Sequence, residues 1–214
     1  MSWEIDETVN FGRRHMPTGD FLKLEKGCLL IYAYFQLKSY RGDGYGLDEV
    51  GEKHRYLRVE DLNKKDCYRT TRVSRTTIDK KIEILEQTGL IRRQTYNGKE
   101  YYMLDVQDYY TLVDFKMSFM KAILRRCDDV LLRMFLWHKS YHEWLKRTKP
   151  GTKQYYVSKD KICENLGIPV NPYNLERIKD ANDILVGFEV ISIEKKYIKK
   201  GHNTQQQNWY TYLK

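Results

Sequence analysis

The stretch VSRTTIDKKIEILEQTGLIRRQTYNGKEYYML, residues 73–104, decides the fold because it carries a helix signal directly before a hairpin signal. Ser74 is a favoured residue at the start of a helix, since its hydroxyl can accept a hydrogen bond from a free backbone N–H. Ile78, Ile82 and Leu85 recur at the i, i+4, i+7 spacing of a core-facing helical stripe. We therefore predict an amphipathic helix that is capped by Ser74 and buries its apolar side.

A hairpin is predicted after this helix and a shorter helix before it. Gly89 favours the end of a helix, and two strand-like runs flank Asn97-Gly98, a dipeptide typical of a tight hairpin turn. Upstream, residues 59–67 have the apolar Leu62 between polar flanks and predict a short helix. Two helices followed by a hairpin give the element order of a winged helix, and we predict that fold here.

The chain also repeats itself. FLKLEKGCLLIYAYFQLKSY, residues 21–40, and FMKAILRRCDDVLLRMFLWHKSY, residues 119–141, share a phenylalanine, Leu-Leu, an aromatic helical stretch and Lys-Ser-Tyr. Two copies are too few for a solenoid, which needs at least three repeats. They predict two domains of similar design, joined within residues 107–114.

The elements predicted after the second copy follow the same order as those after the first. Residues 159–166 predict one helix, and Asn171-Pro172 is typical of the start of another, with Asn as the cap and Pro in the first turn. Residues 188–198 and 209–213 predict two strands joined by a long polar loop. The predicted fold class is therefore α+β, mainly α, with two winged-helix domains in tandem, residues 1–107 and residues 108–214.

A family resemblance supports this fold. VSRTTIDKKIEILEQTGLIRR resembles the recognition-helix segment of bacterial winged-helix proteins, and YAYFQLKSY, residues 32–40, is similar to the N-terminal domains of phage and plasmid replisome organisers. The tandem arrangement resembles plasmid replication initiators, although the second copy departs from the motif. The resemblance implies sequence-specific binding of double-stranded DNA, replication initiation at a plasmid or phage origin, and a second copy of the chain or replication proteins as further partners. The matching residues are Val73, Ser74, Arg75, Thr76, Thr77, Leu85, Glu86, Gly89, Leu90 and Ile91.

Positive charge is concentrated where this family would contact DNA. The whole chain carries a formal net charge of +9. Residues 1–63 hold 9 Lys or Arg against 11 Asp or Glu, whereas residues 64–99 hold 10 against 4, a net charge of +6. Lys and Arg on a binding surface release counterions condensed on the duplex, so this distribution favours phosphate binding. The alternative is a solvated basic face on a structural domain.

The candidate DNA-binding residues of the first domain follow from the predicted helix faces. Arg75 is at the start of the recognition helix, where base-reading side chains usually lie, and Arg, Gln and Thr can all contact base edges. Residues before this helix and on the wing are expected to hold phosphates. The complete set is Lys64, Lys65, Arg69, Arg72, Ser74, Arg75, Thr76, Thr77, Lys80, Gln87, Arg92, Arg93, Asn97 and Lys99.

The second domain has a different charge pattern. Its outward helix face carries Glu176, Asp180 and Asp183 beside Tyr173 and Arg177, and carboxylates facing a groove would repel phosphates. The predicted wing, in contrast, contains lysines and amides that could lie along a DNA backbone or in a minor groove; a flexible hairpin tip is the equal alternative. The candidate residues here are Arg177, Lys195, Lys196, Lys199, Lys200, His202 and Asn203.

Other classes of protein find little support in the sequence. Four scattered cysteines form no C-x-x-C pair, which argues against zinc and disulfides and predicts reduced thiols in the cytoplasm. His138 and His142 lie four residues apart, but no further ligand has a matching spacing, so packed histidines are expected rather than a metal site. The sequence has no run of 18 apolar residues, and we expect no membrane partner. It also has no nucleophile motif or paired carboxylates, so we expect neither an enzyme nor a cofactor.

Two further functions fit the same sequence features. A transcriptional regulator uses the same module, and would bind an operator overlapping a promoter rather than repeats at an origin. A protein-interaction module is the third possibility, because the acidic second helix suits protein docking; it predicts no DNA affinity at low salt.

Overall fold

The protein is of the α+β class, and its computed structural model describes residues 14–41, 55–104, 112–115, 117–200 and 203–213. Three small antiparallel sheets occur in these ranges. The first pairs residues 14–17 with 112–115, the second orders its strands as 40–41, 55–58, 99–104 and 91–96, and the third orders them as 154–156, 203–212 and 191–200. The chain divides into two compact units, one made of Met1–Pro17 and Glu25–Asp129, the other of Thr18–Leu24 and Val130–Lys214. No described helix is both long enough and apolar enough to cross a membrane.

The first unit is built around a helix that is buried on all sides. This helix, α1 (Cys28–Lys38), is almost entirely apolar and packs against the three other helices of its unit, as expected for a helix without a polar face. The other elements are β1 (Arg14–Pro17), β2 (Tyr40–Arg41), β3 (Arg55–Arg58), the 3-10 turn η2 (Val59–Asp61), α2 (Lys64–Thr71), α3 (Arg75–Gln87), β4 (Ile91–Tyr96), β5 (Lys99–Leu104), β6 (Leu112–Phe115) and α4 (Met117–Leu124).

The second unit places a long helix beside two shorter helices and a long hairpin. Its elements are the 3-10 turn η1 (Gly19–Lys23), α5 (Asp129–Thr148), β7 (Gln154–Tyr156), α6 (Lys159–Leu166), α7 (Pro172–Gly187), β8 (Ile191–Lys200) and β9 (Asn203–Tyr212). Asn171 caps α7 by accepting a hydrogen bond from the backbone N–H of Asn174, and Pro172 opens the helix, as predicted.

Neither unit is one continuous stretch of the chain, because residues 18–24 belong to the second unit and residues up to 129 belong to the first. These bounds differ from the predicted domain boundary between residues 107 and 108. The strand β6 pairs with β1 and α4 packs against α1, which places residues up to 129 in the first unit. Residues 18–24 join the second unit, where Arg133, only 2% exposed, donates hydrogen bonds to the carbonyl oxygens of Leu22, Leu24 and Leu166. These contacts span more than 100 residues of sequence between Arg133 and η1.

The second hairpin has no long polar loop, which corrects the sequence-based expectation. β8 and β9 are ten residues each and pair in continuous register from Ile191 opposite Tyr212 to Lys200 opposite Asn203. The residues expected in a loop instead extend both strands, and Gln206 lies opposite Tyr197. The error arose because apolar alternation is weak there, whereas a ladder of backbone hydrogen bonds does not require apolar side chains.

Two details of the first unit also differ from expectation. The short helix predicted for residues 59–67 is a 3-10 turn followed by α2, which begins at Lys64 because Asn63 accepts a hydrogen bond from the backbone N–H of Asp66. Ser74 stands at the first position before α3, but its hydroxyl lies 2.8 Å from that of Thr76 and makes no capping bond. The neighbouring hydroxyl thus takes the place of the backbone N–H as its partner.

Candidate nucleic-acid interface

The helix α3 is held against the core of the first unit by the predicted apolar stripe. Ile78, Ile82 and Leu85 are all buried, which confirms the predicted inward face. Lys81 is also buried, and its ammonium group pairs with the carboxylate of Glu25. This inward lysine was not predicted, because an ion pair between residues 56 positions apart leaves no local signal.

The opposite face of α3 presents polar side chains to solvent. Thr76, Lys80 and Gln87 are exposed, and Thr77 is half-buried with its hydroxyl donating to the backbone carbonyl of Ser74. Gln87 donates to the carboxylate of Glu83 at 3.3 Å. At a helical rise of about 1.5 Å per residue, Gln87 lies roughly 18 Å from the N-terminal end of α3. The first turn and the last turn therefore cannot contact the same base pair.

The ring of Tyr68 lies close to the guanidinium groups of two arginines at the junction of α2 and α3. The guanidinium groups of Arg72 and Arg75 lie 5.8 and 5.9 Å from the ring centre of Tyr68, which is 37% exposed. Arg72 ends α2 with a positive φ of 58°, and this turns the chain sharply into α3. Sequence reasoning missed Tyr68, although its spacing of four residues from Arg72 on a helix is a usable signal.

The cations predicted to contact DNA fall into two groups. Lys64 pairs with Asp79 at 2.6 Å, Lys80 approaches Glu25 at 3.7 Å, and Arg93 pairs with Glu86 at 2.9 Å. The cations of the second group are exposed and make no ion pair with any described residue: Lys65, Arg69, Arg72, Arg75, Arg92 and Lys99.

Three of the four acids of residues 64–99 are paired with cations, and the fourth, Glu83, is exposed and accepts from the amide of Gln87. Asp66 accepts from Lys38 at 2.8 Å and from the hydroxyl of Tyr34 at 3.0 Å, and the bond from Lys38 is the main reason why the pKa of Asp66 is lowered. Asp79 and Glu86 have the partners given above, Lys64 and Arg93. Pairing thus removes much of the local negative field and leaves a cationic surface.

The first hairpin has the turn geometry that its sequence predicts. Asn97 and Gly98 adopt φ values of 48° and 71°, and Tyr96 lies opposite Lys99 in the strand register. Neighbouring residues of a strand point to opposite faces, so Arg92 and Arg93 diverge. Arg93 is directed to Glu86 and the ring of Tyr102, at 5.3 Å, while Arg92 remains exposed.

The outer face of α7 in the second unit is acidic and aromatic. Tyr173 is 71% exposed, and the guanidinium of Arg177 lies 5.7 Å from its ring centre. Glu176 pairs with Lys179 at 2.6 Å, whereas Asp180 and Asp183 are also exposed. The side chain of Arg177 thus lies over a tyrosine ring, on a helix whose exposed residues include three carboxylates.

The second hairpin separates its lysines onto two faces. Lys195 and Lys199 share one face with Tyr197, which is 69% exposed. Lys196 lies on the other face, where its ammonium group sits 4.5 Å from the ring centre of Trp209 and 2.7 Å from the amide oxygen of Gln154. Of the remaining predicted residues, Lys200 and Asn203 form the last described pair of the hairpin, and His202 lies outside the described residues.

The histidine pair of α5 is engaged in packing. His138 is fully buried, with Nδ1 at 2.7 Å from the hydroxyl of Tyr155 and Nε2 at 2.9 Å from Oδ1 of Asn182. Burial lowers the pKa of His138 to about 4, so the ring is neutral at pH 7. His142 stacks on Tyr212, with ring centres 4.8 Å apart. Within the described ranges, no three His, Cys, Asp or Glu side chains group together as metal ligands would.

The chain has no match among the known protein families and curated proteins.

Proposed function

We propose that each unit is a winged-helix domain and that the first unit binds duplex DNA with sequence preference. In this proposal α3 enters the major groove by its N-terminal turn, as recognition helices of helix-turn-helix proteins do. The β4–β5 hairpin is the wing, and it contacts the sugar-phosphate backbone. In this proposal Arg72 and Arg75, whose guanidinium groups lie near the ring of Tyr68, contact phosphates and base edges.

One observation carries this proposal, namely the group of six exposed cations without an ion pair among the described residues. Lys65, Arg69 and Arg72 come from α2 and its end, Arg75 opens α3, and Arg92 and Lys99 lie on the hairpin. A merely solvated surface would be expected to scatter its unpaired cations, whereas these six lie within residues 65–99. Three of the four acids in that segment pair instead with Lys38, Lys64 and Arg93. Cations that remain available can neutralise phosphates and release counterions.

The second unit plays a different part in this proposal. The carboxylates on α7 would repel phosphates, so this helix stays out of the groove, and its exposed Tyr173 suits contact with protein. The hairpin face with Lys195, Tyr197 and Lys199 adds phosphate contacts of its own. An interaction with replication proteins or with a second copy of the chain fits the acidic face of α7.

The biological role that we propose is origin binding for a plasmid or phage replicon, and it rests on the sequence resemblance alone. A transcriptional regulator would use the same surface. A genome-wide map of bound sites separates the two roles, because repeats at an origin support initiation and operators overlapping promoters support regulation.

Duplex binding itself is tested by the dependence of affinity on salt. We expect log affinity to fall linearly with log salt, with a slope near −0.9 for each phosphate contact. Six contacts would therefore give a slope of about −5. The measurement is a titration of a labelled duplex pool at several salt concentrations with the full chain. A flat dependence, or no binding at low salt, would remove the proposal.

A further inference from the structure

A cleft in the second unit is lined by an aromatic stripe of α5. Its volume is about 430 Å³, within the range of roughly 300–1,000 Å³ typical of ligand sites. Trp137, Tyr141 and Trp144 line it together with Asp20, Leu22 and Lys23 of η1, and the charges of Asp20 and Lys23 are paired at 2.7 Å. The ring centres of Tyr141 lie 5.5 Å from those of Trp137 and 5.3 Å from those of Trp144, so the three rings form a continuous surface.

The rings differ in how much the fold itself uses them. Trp137 is buried and belongs to the core, whereas Trp144 is 43% exposed and offers a large aromatic surface to solvent. Core packing therefore explains the inner end of the stripe, but it leaves the outer end without a role. A tryptophan exposed to this extent beside a cleft is suited to stacking against a flat ring.

The outer end of the cleft adjoins a run of positive charge. Residues 146–153, KRTKPGTK, hold four cations and no acid, and these cations are exposed. Arg147 follows Trp144 by three residues on α5, which puts it next along the same helix face. Glu143 precedes Trp144 on α5, and its carboxylate oxygen lies 4.0 Å from the ammonium nitrogen of Lys146. Aromatic rings followed by cations match a strand that alternates flat bases with phosphates.

We propose that this cleft binds single-stranded DNA, with an unpaired base stacked on Trp144 and the backbone passing over residues 146–153. The stacking requires an unpaired strand, because the faces of bases are covered in a duplex. The choice of DNA rather than RNA rests on the duplex binding proposed for the first unit. The cleft would then hold one separated strand while the first unit holds the duplex.

The test measures binding of the full chain to a labelled oligothymidylate of about twelve nucleotides by fluorescence anisotropy at low salt. We expect Trp144→Ala to weaken binding about tenfold, within the range found for loss of one stacked base. Trp144→Phe keeps a ring and should retain most of the affinity. Tyr173→Ala removes an even more exposed ring on α7 and should leave the affinity unchanged.

A matched pair of lysines tests the path of the backbone. Lys149→Ala removes an exposed cation of the basic run, and should weaken oligothymidylate binding and lower its salt slope. Lys161→Ala removes a lysine that is paired with Glu164 at 2.7 Å, and should change neither quantity. Thermal melting of each variant checks folding, which Trp144→Ala should preserve because its side chain is partly exposed.

Several results would overturn the proposal. The proposal fails if the full chain does not bind oligothymidylate or if Trp144→Ala leaves the affinity unchanged. It also fails if Tyr173→Ala lowers the affinity as much as Trp144→Ala does. Polyglutamate carries charge without bases, so competition by it at equal strength would assign the cleft to acidic peptides instead. Tighter binding of oligouridylate would assign it to RNA.

Trp144→Ala should leave duplex affinity unchanged, so a failure of duplex binding alone is distinguishable from a failure at the cleft.

Discussion

At the scale of single residues, the proposal assigns base contacts to Arg75, which lies beside Tyr68, and phosphate contacts to Lys99 on the hairpin. The ring contacts the guanidinium groups of Arg72 and Arg75, and such a contact contributes about 0.5–1 kcal/mol at an exposed site. The contact also restricts the rotamers of both arginines before DNA arrives, which lowers the entropy cost of binding. Lys99, at the start of β5, has no comparable neighbour among the described residues.

We therefore predict different effects for Arg75→Ala and Lys99→Ala. A bidentate contact from arginine to guanine contributes about 1–3 kcal/mol of discrimination, so Arg75→Ala should weaken specific binding more than non-specific binding. Lys99→Ala should weaken both alike and lower the salt slope by about one unit. Titrations of each variant against the preferred site and a scrambled duplex at several salt concentrations measure this difference.

Tyr68→Phe is the matched control, because it keeps the ring under both guanidinium groups and should behave as the unaltered chain does. Tyr68→Ala should reduce specific binding in the same direction as Arg75→Ala. Equal losses on both duplexes for Arg75→Ala would make Arg75 a phosphate contact. The base-reading face would then be sought among Thr76, Thr77 and Lys80.

At the scale of elements, the β8–β9 hairpin assigns distinct roles to neighbouring lysines. Lys196 is held by the ring of Trp209 and the side chain of Gln154, so it belongs to the packing of the sheet. Lys199 is exposed and has no ion pair with a described residue. Adjacent positions of one strand thus face different environments, as the pleat of a strand requires.

We predict that Lys199→Ala lowers duplex affinity and reduces the salt slope by about one unit, without changing stability. Lys196→Ala should instead lower the free energy of unfolding by about 1 kcal/mol, since it removes a cation–π contact and a hydrogen bond. Its salt slope should stay the same. Urea unfolding and salt titrations of both variants provide the comparison, and a stability loss in Lys199→Ala with none in Lys196→Ala would reverse the two roles.

At the scale of the whole molecule, the stability of the second unit should depend on pH through His138. The ring links α5 to β7 and α7 through Tyr155 and Asn182. Burial lowers its pKa from 6.5 to about 4. Above pH 6.5 the ring is neutral in both the folded and the unfolded chain. As the pH falls from 6.5 to 4, the unfolded chain takes up a proton that the folded chain does not, and the folded state loses stability.

We expect this loss to reach about 3 kcal/mol at pH 4. Urea unfolding followed by tryptophan fluorescence measures it, because three of the four tryptophans belong to the second unit. The variant His138→Gln lacks the proton-binding group, so its free energy of unfolding should fall less between pH 6.5 and pH 4. At pH 7 this variant should be less stable than the unaltered chain. Carboxylates titrate in both proteins and cancel in the difference. Parallel curves for the two proteins would show that His138 is not the cause.

The amino-acid sequence by itself determined the features that depend on a few neighbouring residues. The inward stripe of α3, the Asn97-Gly98 turn and the Asn171-Pro172 helix start all appear where the sequence predicts them. Helical periodicity, turn conformations and helix capping act within about one or two turns of chain, so their signals are local. The segment with net charge +6 is local in the same sense.

Only the tertiary structure decided which of those charges are available and how the chain divides. Lys81 is neutralised by Glu25, 56 residues away, and the segment at Leu22 joins the second unit because its carbonyl accepts from Arg133, 111 residues away. The strand β9 also pairs with β7, where Tyr210 lies opposite Tyr155, 55 residues earlier in the chain. Ion pairs, buried hydrogen bonds and strand ladders join residues that are distant in sequence, so no short window of sequence reveals them.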